Sequence, residues 1–442
     1  MIDDVDAVVE AALGLSGADD VEVRISRNFG GLTRFANSTV HQHVQTDTTS
    51  IAVRVATGGR IGATSTNDVT ASGAVRAAEA ALAAARLTPP DPTYPGLAGP
   101  APIHDEVRAD PATAAATPAQ RVAAVVDLLG RLRADQTGAG AFETNLHEVV
   151  FATTAGARHE GSATRAAVST VVTGGGATGH AEDAGRAFEQ LDPVDVGERA
   201  AATCEAAVEP GEQAPGDLDV VLLPSAVMTL LEYLSFTTFS AKAVHEGRSA
   251  FAERMGHQVA SPLVSIADDP IDGCEIGLPF DGEGTPKRRV ELIVEGVATG
   301  VVHDRTSARM AGVESTGHGL SAPNPWGPFA GSLVLGAGTS TVDELIGGVD
   351  QGLLVTRFWY ARTVNAKRTV LTGMTRDGTF RIEGGKVGPP VRNLRFNQSI
   401  LDALAACDGV GDLLRCCSDE SSDTNCPAIR VRGFTFTSAS DH

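Results

Sequence analysis

Residues 230–270 read LLEYLSFTTFSAKAVHEGRSAFAERMGHQVASPLVSIADDP. Leu230, Leu231 and Leu234 open a buried-looking helix, entered from the apolar run Asp219-Val220-Val221-Leu222-Leu223. The stretch closes on a strand, Leu263 to Ala267. Such a helix hung between strands marks entry into a β-rich unit. Along the helix stand Glu232, Tyr233 and Thr237, where a zinc-binding helix would carry two imidazoles one turn apart. A carboxylate or hydroxyl can hold a metal, but a helix without histidine is a poor zinc site. The function turns on whether this chain does chemistry or completes a partner that does.

Downstream, strand patterns recur at Val290 to Val294, Gly300 to His303, Ser332 to Leu335, Leu353 to Phe358, Arg368 to Met374, Phe380 to Glu383 and Ile429 to Phe436. Turn signals at Glu295-Gly296, Asp377-Gly378 and Gly384-Gly385 predict hairpins. Helices are expected from Thr341 and over Gln398 to Ala406. Residues 217–442 therefore read as a mostly antiparallel, curved-sheet or barrel-like domain.

Upstream, EPGEQAPGD (Glu209 to Asp217) is the clearest boundary. Residues 1–87 form an α+β unit. Short strands are expected around Val21-Val23-Ile25, Val40-Gln42-Val44 and Ile51-Val53-Val55, then a Gly58-Gly59 hairpin and an Ala-rich helix from Asn67 to Arg86. Residues 88–103 are a Pro-rich connector. Residues 104–208 form a middle α+β region, which the same reading allows to be one domain with 1–87. Its first helix opens on Thr117-Pro118-Ala119-Gln120, a capping box with proline in the first turn. β-rich segments follow at Glu143 to Thr153 and Thr164 to Thr173, with a turn through Gly156 and Gly161, and a helix over Val194 to Val208 closes the region. The fold class is α+β, with an N-terminal antiparallel sheet and helices.

The chain has 442 residues and a net charge of −20. It contains no basic run of the kind that neutralises nucleic-acid phosphates. No apolar stretch has bilayer-spanning length, and the acidic N-terminus lacks the features of a signal peptide. A cytoplasmic protein is expected, and the Ala/Gly/Val/Arg bias points to a bacterial GC-rich genome.

Three His-Glu dipeptides occur, at His147-Glu148, His159-Glu160 and His245-Glu246, but none has a second His four or five residues on. They read as ordinary surface or loop residues. His245, Glu246 and His257 remain a weak metal set, as do the tail thiols Cys416 and Cys417. The six cysteines include no CxxC and are expected to be reduced thiols. Asp268-Asp269-Pro270 reads as a turn cap. The glycine-rich loop with Thr316, Gly317 and His318, continuing to Asn324 and Trp326, is the candidate peptide-binding loop. No P-loop, GxGxxG after a strand, or GxSxG is present.

A set of short motifs, in order, resembles the TldD/PmbA (TldD/TldE, peptidase U62, "modulator of DNA gyrase") family. They are Ser249-Ala250-Phe251, Gly256-His257-Gln258-Val259-Ala260-Ser261, Ile266-Ala267-Asp268-Asp269-Pro270 and Pro279-Phe280-Asp281-Gly282-Glu283-Gly284. Leu292 to Val297, Ser307-Ala308-Arg309, Ser315 to His318 and Glu383-Gly384-Gly385-Lys386 continue the likeness. Val53-Arg54-Val55 with Gly58 to Gly62 and Ser65-Thr66-Asn67 matches the family's opening motif.

The resemblance implies a fold and a division of labour. TldD-type subunits carry HExxxH on a helix and a distant Cys, while TldE/PmbA-type subunits lack these and pair with TldD around an enclosed chamber. Counting back from Ser249, the two His slots hold Glu232 and Thr237, and the Glu slot holds Tyr233. This places the chain on the TldE side. It implies no catalytic residue and no cofactor in this chain, zinc in a TldD-type partner, and unfolded peptide as substrate. The alternatives are an autonomous homodimeric metallohydrolase with a divergent metal site, and a non-enzymatic binding or regulatory protein.

Overall fold

In the computed structural model, residues 4–103, 108–271, 274, 276–418 and 423–440 are described. The start of the 104–208 region and the last two residues of 217–442 lie outside that set. The N-terminal half contains α1 (Val5–Leu13), β1 (Asp20–Ala36), β2 (Thr39–Thr57), β3 (Arg60–Thr66), α2 (Ala71–Leu87), α3 (Pro111–Ala114) and α4 (Pro118–Leu129). It continues with β4 (Thr137–Thr153), β5 (Arg158–Gly174), β6 (Ala177–Gly185) and α5 (Pro193–Ala206). These strands form one six-stranded antiparallel sheet in the order β3-β2-β1-β4-β5-β6. Its centre is the β1–β4 pairing, which joins residues before and after the Pro-rich connector, Glu22 opposite Thr153 and Phe35 opposite Gly140.

Two apolar clusters hold helices to this sheet. Val21, Val23, Ile25, Val53 and Val55 bury against Ala74, Ala78, Ala81 and Leu82 of α2. Phe35, Phe142, Val168 and Val172 bury against Val125 and Leu128 of α4 and Val196 and Ala200 of α5. Each buried Val, Leu, Ile or Phe contributes roughly 1.5–3 kcal/mol of transfer free energy, and each Ala less. α4 opens with the expected capping box: the Thr117 hydroxyl accepts from the Gln120 N–H at 3.3 Å, and the Gln120 side chain accepts from the Thr117 N–H at 2.9 Å.

The C-terminal half contains β7 (Gly216–Leu222), α6 (Pro224–Thr237), α7 (Ala241–His245), β8 (Ile266–Asp268), β9 (Val290–Val294), β10 (Val297–Ala298), α8 (Arg305–Ala311), β11 (Ser332–Leu335) and α9 (Val342–Gly347). It ends with β12 (Gln351–Asn365), β13 (Val370–Glu383), β14 (Lys386–Pro390), β15 (Leu394–Ser399), α10 (Ile400–Ala405), β16 (Cys407–Val410), β17 (Arg415–Ser418), β18 (Asp423–Cys426) and β19 (Ile429–Ala439). β12, β7, β19, β15 and β13 pair in turn, and β13 pairs back to β12, closing a five-stranded barrel. Only the β12–β7 pairing in it is parallel. Phe358, Phe396 and Phe434 fill it with ring centroids 4.5–5.6 Å apart. A second sheet runs β10-β9-β8-β11-β18-β17. The expected α+β class and barrel-like C-terminal domain are therefore present.

Several local expectations are corrected. The strands expected at 40–44 and 51–55 are one nineteen-residue strand, β2. Asp377-Gly378 is no hairpin: it lies inside β13, where the register against β12 shifts. Gly161 lies within β5 and not in a turn. Gly300 to His303 forms no strand beyond a single Val302 bridge to Ser240. β6, β17 and β18 had no sequence signal. The cysteines are not all reduced: Cys274 and Cys416 form a disulfide spanning 142 residues, and Cys204, Cys407, Cys417 and Cys426 are buried free thiols.

Candidate functional site

Pro224 occupies the first turn of α6, the position that lacks a hydrogen-bond partner anyway, and launches the helix off β7. Ala226, Val227, Leu230, Leu231 and Leu234 are fully buried in the barrel-side core. The opposite face of α6 looks across a cavity of about 430 Å³. Ser225, Met228, Thr229, Glu232 and Tyr233 form its floor, Arg357 to Arg362 of β12 one wall, and His180 and Glu182 of β6 the other.

The β12 wall alternates cations and rings. The Arg357 guanidinium lies 4.9 Å from the Trp359 ring centroid, Arg376 approaches the same ring at 5.8 Å, and Arg362 lies 4.9 Å from Tyr360. Register shifts on both sides of this segment bulge it outward, and Tyr360 sits at φ 53°, in the left-handed region. Trp359 is 46 % and Tyr360 64 % exposed, unusual for aromatics in a barrel strand. Arg357 is held in place by buried Asp377, its Nε donating at 2.6 Å. Burial first, then Arg357 and Arg199, push the His180 imidazole well below its ordinary range. Ser225 donates to Glu182 at 2.8 Å and ties β6 to the start of α6.

The resemblance noted above implies a metal on this helix in zinc-bearing relatives, so the donors present here are the test of fit. The Tyr233 hydroxyl donates to the Ala361 carbonyl at 2.6 Å, and the Thr237 hydroxyl to the Tyr233 carbonyl at 2.6 Å. Both are spent on backbone, which leaves Glu232 as the one charged side chain of the three. Among the described residues, no group of three or more His, Cys, Asp or Glu side chains is placed to hold a metal. Cys416 is consumed by its disulfide. A hydrogen bond with Cys426, and then burial, push the Cys417 thiol well above its usual value. His245 ends α7, and Glu246 accepts from Lys242 at 2.7 Å and from Arg248 Nε at 2.8 Å. His257 lies in a separate turn with its N–H on the Arg254 carbonyl. The described residues on and around α6 do not fit a zinc site.

The glycine-rich loop is placed elsewhere. His318 is buried, its Nδ1 2.9 Å from Thr316 Oγ1 and its Nε2 2.8 Å from Asp268 Oδ1. Asp268 also accepts from the Ser332 N–H at 3.0 Å. Burial alone would raise its pKa, but His318 and that N–H hold it below the usual range. The reading of Asp268 as a turn cap is thereby corrected, while Asp269 does accept from the Ile271 N–H at 3.0 Å. Gly317, at φ 73°, packs so closely on Pro286 that a Cβ would lie 2.2 Å from its carbonyl oxygen. Asn324 spends both ends of its amide on its own turn, at 2.9 Å to the Trp326 N–H and 3.0 Å to the Gly327 carbonyl. Thr316, Gly317, His318 and Asn324 thus serve loop structure, away from the lining of the α6 cavity.

The same loops lock the two halves of the chain together. Asp281 accepts from the Glu283, Thr285 and Gly319 N–H groups at 2.7–2.9 Å. Glu283 accepts from the Arg305 N–H at 2.9 Å and lies 3.6 Å from Arg54 of β2, which also pairs with Glu22 of β1. Burial, then the Asp281 carboxylate, raise Glu283 to about 7. Gly284, at φ 74°, lets this turn meet the sheet, since a Cβ there would lie 2.1 Å from the Phe151 ring. His159 is no surface residue: it is buried and packs 5.5 Å from Phe280.

Sequence reasoning missed Arg357, Trp359, Tyr360, Arg362 and His180. The signal was RFWYAR (Arg357 to Arg362), three consecutive aromatics and an alanine flanked by arginines in a strand otherwise patterned for a core.

Comparison with known proteins now gives this architecture its family. Models described as PmbA/TldA metallopeptidase domain 1, central domain and C-terminal domain match residues 21–85, 103–207 and 215–438. A "Metalloprotease" of Methanothermobacter thermautotrophicus is 28 % identical over 52 % of this chain and 51 % of its own length. The chain thus spans about half the length of that relative, and 34 % of a Haemophilus influenzae metalloprotease TldD homologue at 31 % identity. Metalloprotease PmbA of Escherichia coli O157:H7 is 26 % identical over 90 % of this chain and 88 % of its own. The crystal structure of TldE from Thermococcus kodakarensis superposes with a TM-score of 0.88 at 20 % identity, covering 97 % of this chain and 100 % of that one. A putative modulator of a DNA gyrase from Thermotoga maritima gives 0.85 at 19 % identity, covering 98 % and 99 %. The chain belongs to the TldD/PmbA family of metalloprotease-like proteins.

Proposed function

We propose that this chain is a TldE/PmbA-like, non-catalytic subunit of a cytoplasmic zinc metallopeptidase complex that processes or degrades unfolded peptides. A TldD-type partner supplies the zinc, and this chain supplies chamber wall and peptide-binding surface. One observation carries the reading. The helix that would hold the metal spends Tyr233 and Thr237 on backbone carbonyls, yet the cavity over it keeps half-exposed Trp359 and Tyr360 beside Arg357 and Arg362. Hydrolysis needs a Lewis acid and a base beside it. Rings and guanidinium groups suit holding an extended chain through apolar contact and hydrogen bonds to carbonyls and carboxylates.

The test is co-expression with an HExxxH-bearing homologue, then mass measurement, zinc analysis, and cleavage of an unstructured peptide by each chain alone and together. Cleavage by the mixture alone, with zinc tracking the homologue, supports the reading. Peptide scission by this chain alone, with metal bound stoichiometrically to its own side chains, sinks it.

A further inference from the structure

We propose that the seam between β6 and a bulge in β13 is a second binding site, for a small zwitterion: a free amino acid or dipeptide gripped by both its ammonium and its carboxylate. The site is separate from the α6 cavity, and the inference does not rest on the subunit reading above.

The bulge carries the argument. β13 breaks register with β12 at Asp377-Gly378, where φ is 55° at Asp377 and 115° at Gly378. A non-glycine residue at positive φ has to be held there by its surroundings. Here the Thr356 hydroxyl faces the carbonyls of Arg376, Asp377 and Gly378 at 2.8–3.0 Å. A Cβ on Gly378 would lie 2.6 Å from Thr203 of α5, so the bulge is pressed against the N-terminal half. Bulges re-aim side chains, often beside functional sites. This one joins two cavities through Asp377. Its Oδ2 accepts from Arg357 of the α6 cavity at 2.6 Å. Asp377 also lines a second cavity, of about 460 Å³, with Arg376, Thr379, Arg392, Thr178 of β6 and Pro210 beyond α5.

This second cavity keeps unmatched polar groups of both kinds. Asp377 and Thr379 are each 2 % exposed, and neither Asp377 Oδ1 nor Thr379 Oγ1 has a hydrogen-bond partner. Buried polar atoms are nearly always satisfied, so two in one wall point to a partner from outside the chain. Arg376 Nε stands 3.9 Å from Asp377 Oδ1, beyond hydrogen-bond reach. Among the described residues, the Arg376 guanidinium donates no hydrogen bond. Arg392 Nε meets the exposed Glu212 carboxylate at 3.2 Å.

Chemistry selects the ligand. A carboxylate oxygen only accepts, so Oδ1 calls for an N–H, best from a cation. Guanidinium groups call for the reverse, a carboxylate. A water satisfies one oxygen and leaves the arginines unmatched, and it occupies only about 30 Å³. A simple anion suits the arginines but is repelled by Asp377, and a simple amine meets the opposite conflict. A molecule carrying both charges matches both sets, and an amino acid or dipeptide does so within this volume. Asp377 Oδ1 and Thr379 Oγ1 are closed to water, and half-buried Arg376 stands beside them. With no hydrogen bond to hold it, Arg376 turns onto the ligand carboxylate and uncovers the two oxygens for the ammonium.

The full-length chain is titrated calorimetrically with alanine, Ala-Ala, N-acetyl-Ala-Ala and Ala-Ala amide. Arg376→Gln, Thr379→Val, the double variant and Trp359→Ala are titrated alongside, with circular dichroism to verify folding. Alanine or Ala-Ala should bind with a Kd of about 0.1–1 mM, and the tighter of the two gives the length that the cavity takes. Blocking either end should weaken binding about tenfold, and so should Arg376→Gln or Thr379→Val. Trp359→Ala, in the wall of the α6 cavity, should leave the affinity nearly unchanged. Absence of binding by both free compounds overturns the proposal. So does binding that survives the double variant, that Trp359→Ala abolishes, or that acetylation and amidation leave unaltered.

Discussion

The Tyr233 hydroxyl donates to the Ala361 carbonyl at 2.6 Å. This bond ties α6 to β12. Tyr233→Phe should cost about 1 kcal/mol in urea unfolding, because the carbonyl loses its donor in a part-buried place. Zinc content should be the same before and after. A zinc signal that vanishes with the hydroxyl would show the side chain to be a ligand instead.

Trp359 and Arg357 neighbour each other but should behave differently when truncated. Trp359 is 46 % exposed, so Trp359→Ala should leave stability within about 0.5 kcal/mol. It should weaken binding of an unstructured peptide about tenfold by calorimetric titration. Arg357→Ala leaves the Asp377 carboxylate buried without its main partner, and should cost about 3–5 kcal/mol in unfolding. Equal effects of the two on stability would contradict the assignment.

Two groups, buried Glu283 and half-buried His147, make opposite demands on pH. Burial, then Asp281, raise Glu283 from 4.5 to about 7. Its neutral form is therefore favoured by folding, and that stability is full below pH 4.5 and lost as pH rises through about 7. Burial, then Arg24, lower His147 from 6.5 to about 4, so its stability is full above pH 6.5 and lost as pH falls towards 4. Each term amounts to about 3 kcal/mol across its window. In the native chain they offset one another. Glu283→Gln should make melting temperature fall more steeply with acid between pH 6.5 and 4.5, and His147→Gln should make it fall with base over the same range. Calorimetric scans running parallel to the native chain would refute both.

Reducing the Cys274–Cys416 bridge should destabilise the C-terminal half. Closing a loop of 142 residues removes chain entropy worth up to about 5 kcal/mol. Cys416→Ser should reproduce the loss and make unfolding indifferent to reductant. An unchanged denaturation midpoint on adding reductant would show that the bridge does not form in solution.

What the sequence disclosed followed from local chemistry. The Gly58-Gly59 and Gly384-Gly385 turns were readable because all four residues take positive φ, which glycine adopts freely. The cap at Thr117 was similarly local. β2 was read as pieces because residues 45–50, between the two patterned stretches, are mostly exposed, and apolar alternation, the only cue, disappears there. The Asp268–His318 contact joins residues 50 apart, and no window shows that a loop and a strand end will meet. The cavity wall at Arg357 to Arg362 was hidden in the same way, its aromatics reading as core until the bulge turns them outward.

The β1–β4 seam has a consequence for inheritance. Sequence similarity parses this protein at its proline-rich crossover, between residues 85 and 103, yet the sheet runs unbroken across that point. A recombination event there would splice two half-sheets whose facing strands had never been selected together. Paralogues of this family should therefore exchange whole chains more readily than modules, and a fragment cut at the crossover should be insoluble until its missing half is supplied.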